Sequence, residues 1–102
     1  MKPVTPADLD KVIHERARLA ILSALAASPR MTFSEIKDAA ELTDGNLSVH
    51  SRVLESAGYI KIRKQFVGLK PQTTMELTES GRAAFRKYLD LLEEIVKRGK
   101  KR

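Results

Sequence analysis

Cysteine is absent from this chain, so neither a disulfide nor a thiolate metal site can form. Histidine is scarce: His14 and His50 alone cannot close a metal site. No apolar run approaches the length of a membrane span, and the opening Met-Lys-Pro-Val-Thr-Pro is not a signal peptide. A cytoplasmic protein with no membrane partner is therefore expected. Paired carboxylates at catalytic spacing, a Ser/His/Asp set and a phosphate-cradling glycine loop are missing too, so no enzymatic activity and no cofactor are expected. Glu93 and Glu94 read as a solvated helix face. What remains is a chain of 102 residues, 42% hydrophobic and 31% charged, the composition of one globular domain.

Acid is also missing locally. Residues 59–70 contain Lys61, Arg63, Lys64 and Lys70 and no carboxylate. Five of the net +6 charges (Lys97, Arg98, Lys100, Lys101 and Arg102) lie in the last six positions, leaving +1 for everything before them. Over residues 31–58 the acids Glu35, Asp38, Glu41, Asp44 and Glu55 outnumber Lys37 and Arg52. The basic balance is thus confined to two places. The expected organisation is a folded unit over 1–96 and a basic, disordered tail over 97–102.

Taken in order, Thr5-Pro6-Ala7-Asp8 reads as a helix start, with proline at the first helical position. Apolar residues recur at helical spacing from Leu9 to Ala27, with a possible break at His14, which reads as a boundary or packing residue. Ser28-Pro29-Arg30 ends that helix. Thr32 and Glu35 form a capping box opening a short helix, whose expected inner face is Ile36, Ala39 and Ala40. Glu41 then stands where a tight interhelical turn favours glycine, which predicts backbone strain. Thr43 caps a following helix that Gly58 stops. Its inner stripe is Leu47, Ser51 and Leu54; its outer face is Asn46, Val49 and Arg52. Two short helices so joined meet the demands of a helix-turn-helix, and the mixed outer face suits insertion into a DNA major groove.

After Gly58 the period changes from helical to two. Ile60 and Ile62 alternate with Lys61 and Arg63; Gly68 and Pro71 break the pattern; Thr73, Met75 and Leu77 form the return strand. A basic hairpin directly after the helix reads as a DNA-facing wing. Thr78 caps a last helix with two apolar stripes, Phe85-Leu89-Leu92-Val96 and Ala84-Tyr88-Leu91-Ile95. One stripe suffices to cover a small core, so the second predicts a homodimer interface formed by Ala84, Tyr88, Leu91 and Ile95 with Val12 of the first helix.

Across residues 42–60 (Leu-Thr-Asp-Gly-Asn-Leu-Ser-Val-His-Ser-Arg-Val-Leu-Glu-Ser-Ala-Gly-Tyr-Ile) the chain resembles the small MarR/ArsR-like winged-helix transcriptional regulators. The likeness extends through 13–22, 31–37 and 70–82, nearly the whole chain. It implies an α+β, mainly α fold, a winged helix-turn-helix with N- and C-terminal dimerisation helices. It also implies a homodimeric regulator of double-stranded DNA that binds pseudo-palindromic operators, with a recognition helix over about 43–57 and a wing over about 59–77. Carried over by position, Thr43, Asp44, Gly45, Asn46, Ser48, Val49 and Arg52 match the recognition surface. Ser34 matches a phosphate-touching helix start, and Arg63, Lys64, Lys70 and Gln72 match the wing. At the wing tip, where such proteins commonly carry arginine, Leu69 stands beside Lys70. The ArsR thiolate motif is absent, and no small-molecule effector is legible. The alternative reading is a winged helix that binds a partner protein in place of DNA.

Overall fold

Side-chain caps set the starts of the helices. Glu15 accepts from the Arg18 N–H at 2.8 Å and opens α1, Arg16–Ala27. Thr32 and Glu35 form the reciprocal capping box of α2, Phe33–Ala40, at 3.1 and 2.8 Å. Thr43 accepts from the Asn46 N–H at 3.1 Å and opens α3, Asp44–Ser56. Thr78 does the same for α4, Glu79–Lys100. Before α1 the chain makes only a 3₁₀ turn at Pro6–Asp8 and an irregular bend around Ile13, so the break expected near His14 is present and complete. The structure, a computed structural model, describes residues 3–101.

Three strands join the helices: β1 at Arg30–Thr32, β2 at Ile60–Val67 and β3 at Lys70–Leu77. They form one antiparallel sheet in the order β1-β3-β2. The fold is a winged helix, mainly helical, with the β2–β3 hairpin as its wing. β1 is not anticipated by the sequence, because three residues are too short to show a period. The hairpin is longer than expected, since Val67 pairs with Lys70 and the turn is Gly68-Leu69 alone. Gly68 has φ 65°, the positive value needed at the first central position of a type II′ turn. Pro71 does not break β3, because β1 pairs only as far as Thr74 and the N–H that proline lacks belongs to the open edge.

The core joins Ile13, Ile21, Leu22, Leu25, Ile36, Leu47 and Leu54 to Ile60 and Met75 of the sheet. Burying each such side chain contributes about 1.5–3 kcal/mol relative to leaving it in water. Of the expected inner face of α2, Ile36 is buried and Ala40 half-buried, whereas Ala39 is exposed. Glu41 sits in the left-handed region at φ 54°, ψ 50°, as the glycine-like position predicted, at a cost of about 1 kcal/mol.

The base of α4 is locked to the body. Thr78 Oγ1 accepts from the Gly81 N–H at 2.9 Å and donates to the Gly58 carbonyl at 2.7 Å, while Thr78 N–H donates to the Tyr59 carbonyl. A Cβ on Gly81 would lie 2.0 Å from the Tyr59 carbonyl oxygen, so only glycine permits this approach. Beyond its base α4 projects outward, and the molecule measures 58 × 24 × 21 Å. Lys97, Arg98 and Lys100, expected in a disordered tail, instead form the last turn of this helix, where cations complement the C-terminal dipole. Arg102 lies outside the described residues.

Candidate nucleic-acid interface

α3 is held by its inner row. Leu47, Ser51 and Leu54 are buried, and Ser51 returns its hydroxyl to the Ser48 carbonyl at 3.2 Å. That leaves Thr43, Asp44, Gly45, Asn46, Val49 and Arg52 exposed on the outer side, with Ser48 at the margin. The chemistry is what an edge-reading surface requires: an amide, an apolar methyl pair and a guanidinium, each free at the surface. The Thr43 hydroxyl is committed to the cap and is less available to a ligand.

Asp44 would repel phosphate, but Lys37 of α2 reaches across the turn and pairs with it at 2.9 Å. The hydrogen bond to Asp44 and then its charge raise the Lys37 ammonium above its ordinary pKa. Sequence reading missed Lys37. Its position in the last turn of α2, opposite an acid in the first turn of α3, is the signal that marks the pair.

A groove of about 460 Å³ lies between α3 and the wing, walled by Ser48, Arg52 and Glu55 on one side and by Lys64 and Thr73 on the other. A second groove, about 600 Å³, follows the open edge of β3 past the start of α2, where Ser34 faces Lys70, Gln72 and Thr73. The two share Phe33 and Thr73. Six of the expected residues thus line two adjoining grooves, Ser48, Arg52 and Lys64 the first and Ser34, Lys70 and Gln72 the second. Thr43, Asp44, Gly45, Asn46 and Val49 line neither groove, and nor does Arg63. Strand alternation puts it on the opposite face of the hairpin, where it reaches Glu76 at 3.4 Å. Lys64 shares its face with Ile60 and Ile62, so the basic face inferred from Lys61 and Arg63 is turned away from α3.

The start of α1 buttresses α3 from behind. Arg18 donates through Nη1 to His50 Nδ1 at 3.1 Å and through Nε to the Val12 carbonyl. The Glu15 carboxylate lies 3.6 Å from the same ring nitrogen. Burial pushes the Glu15 carboxyl up, but the Arg18 N–H and the charges of His50 and Arg18 outweigh it and hold the pKa below the ordinary value.

The stripe expected at a dimer interface is instead the one turned to the protomer's own core, because the N-terminal segment and the body pack on that side of α4. The stripe expected to cover the core leaves Leu89 and Val96 exposed. Tyr88 is 2% exposed, its hydroxyl 2.9 Å from His14 Nδ1, with burial raising its pKa. Val12, Ala84, Leu91 and Ile95 are half-buried against the core, whereas Leu89 and Val96 are 44% and 45% exposed. Beside Tyr88, the Tyr59 hydroxyl donates to Asp10, which with burial pushes its pKa up to about 12.

Residues 17–96 match the family model described as a winged helix DNA-binding domain. An uncharacterised protein of Methanocaldococcus jannaschii is 32% identical over 87 residues, covering 85% of this chain and 95% of its own length. A transcriptional regulator homologue from Pyrococcus horikoshii has a similar solved structure, with 30% identity, a TM-score of 0.82 and coverage of 88% of this chain and 89% of that one. A MarR-family transcriptional regulator from Silicibacter pomeroyi shares the fold at 18% identity and a TM-score of 0.69, covering 85% of this chain and 57% of its own. With that match over most of its length, the chain belongs to the winged helix DNA-binding domain family, with a fold like that of the MarR regulators.

Proposed function

We propose that this protein is a sequence-specific transcriptional regulator that binds double-stranded DNA as a homodimer, with α3 in the major groove and the wing along the backbone. The observation that carries the reading is the exposure of Asn46, Val49 and Arg52 on a helix whose opposite row is buried, beside the groove shared with Lys64. Asn46 offers its amide to a base edge, Val49 meets a thymine methyl, and Arg52 takes a guanine or a phosphate. Ser34, Lys64, Lys70 and Gln72 hold the backbone and set the register. Asp44 acts by anchoring Lys37 beside the duplex. Two copies joined through Leu89 and Val96, with Val12, Ala84, Leu91 and Ile95 at the margin, place their α3 helices about 34 Å apart, one turn of DNA.

Selection of bound duplexes from a random pool by the full chain tests this directly. Asn46→Ala should then cost about 1–3 kcal/mol at one base position and leave the others unchanged. Lys64→Ala should weaken all sequences alike and reduce the salt slope by about one. Equal loss on selected and random DNA for Asn46→Ala would remove its base-reading role. Absence of any duplex binding at low salt would leave the protein-partner alternative in its place.

A further inference from the structure

The apolar residues of the hairpin form two groups. At its base Ile60, Met75 and Leu77 are buried in the core. At its tip Phe66, Val67 and Leu69 are 74%, 56% and 97% exposed. The fold does not require them there. The turn needs positive φ only at Gly68, and a side chain as exposed as Leu69 covers nothing. Single exposed apolar residues are ordinary on protein surfaces. Three within four positions at a projecting tip, Phe66 on one face, Val67 on the other and Leu69 in the turn, give the hairpin an apolar end that fits a partner.

The surroundings say which kind of partner. Toward the tip the hairpin carries Lys64 and Lys70 and no acid, the one carboxylate of the hairpin, Glu76, lying near its base against Arg63, so the apolar tip is flanked by cations. The tip also continues the interface already described. Phe66 is on the same face as Lys64, whose side chain shares a groove with Arg52, and Val67 lines the second groove with Ser34 and Lys70. A nucleic-acid duplex fits both features, with phosphates for the cations and stacked bases, which an apolar side chain can part, on the groove floor.

We propose that Phe66 and Leu69 form an apolar wedge that enters the minor groove next to the site read by α3 and partly unstacks a base step. The inference rests on the DNA-binding reading above. Lys64 and Lys70 hold the flanking phosphates while the wedge bends the duplex, for which about 20–90° is the range of such insertions. Flexible pyrimidine–purine steps bend at least cost, so the wedge adds sequence preference at base pairs that α3 never touches.

The test uses the full chain and the tightest duplex recovered from a random pool, end-labelled so that energy transfer reports the bend. Leu69→Ser and the double variant Phe66→Ser/Leu69→Ser change only exposed positions, and thermal unfolding verifies that the fold is kept. The double variant should bind about tenfold more weakly and lose the bend. Its salt slope should stay unchanged, because no charge has been removed. Leu69→Lys should steepen the salt slope and still fail to bend the duplex. An unbent duplex with the unmodified chain, or unchanged affinity and bend in the double variant, overturns the wedge while leaving α3 as the reader. A variant that alters self-association in sedimentation and leaves the bend intact overturns it too. If the unmodified chain binds no duplex at low salt, the wedge and the DNA-binding reading fall together.

Discussion

The two halves of α4 are one helix in two environments. Its first half carries Gly81, Phe85 and Tyr88 into the body, fixed by a backbone approach that tolerates no Cβ and by the Tyr88–His14 contact. Its second half leaves Leu89 and Val96 exposed, and ends in a cationic turn. The difference teaches that the apolar repeat does not report one role along its whole length. The inward side of the helix records folding along most of its length, through Leu91, Leu92 and Ile95 as well as Phe85 and Tyr88; its outward side offers Leu89 and Val96, which the protomer does not cover.

Substitutions in the two halves should separate those roles. Gly81→Ala should have the largest effect, destabilising by about 3 kcal/mol in urea unfolding, because the new methyl meets backbone and not a flexible side chain. Thr78→Val removes the cap and the bond to Gly58 together and should cost about 1–2 kcal/mol by the same measurement. Tyr88→Phe, which deletes only the hydroxyl opposite His14, should cost about 0.5–1.5 kcal/mol. Leu89→Lys combined with Val96→Lys should barely alter the unfolding of a dilute protomer, yet shift sedimentation toward the monomer. A large loss of protomer stability in that variant would break the distinction between the halves.

A pH titration sharpens the same contrast. Tyr59, next to the buried half, has its folded pKa raised from 10 to about 12, chiefly by donating to Asp10. Its contribution to stability is therefore full below pH 10 and is lost as pH rises from 10 through about 12, where the unfolded chain ionises first. Tyr59→Phe should lower stability at neutral pH and flatten that alkaline decline. Unfolding curves between pH 8 and about 12 check it.

The sequence disclosed those features whose cause is local. The caps at Thr32, Thr43 and Thr78 and the left-handed Glu41 each depend on a few neighbouring residues, and each stands where the pattern put it. The outward row of α3 was equally legible, since its buried row was. What depended on tertiary geometry was not. β1 is paired only because β3 lies beside it, and Pro71 is tolerated only because β1 stops short. Arg63 and Lys64 look alike in a list of charges, yet strand alternation gives one to Glu76 and the other to the groove beside Arg52. Tyr88 shares a helical stripe with Leu91 and Ile95, but His14, far away in the chain, takes its hydroxyl.

The junction of Thr78, Gly81 and Tyr59 gives α4 the character of a lever set in a rigid socket. A helix of 22 residues is about 33 Å long, so one degree of tilt at its root carries the far end roughly 0.6 Å. The same hydroxyl is bonded to Gly58, just past the end of α3, so the root of α4 and the end of α3 share one anchor. Under the pairing proposed above, the spacing of the two α3 helices would be written into an arm whose root closes on a single glycine.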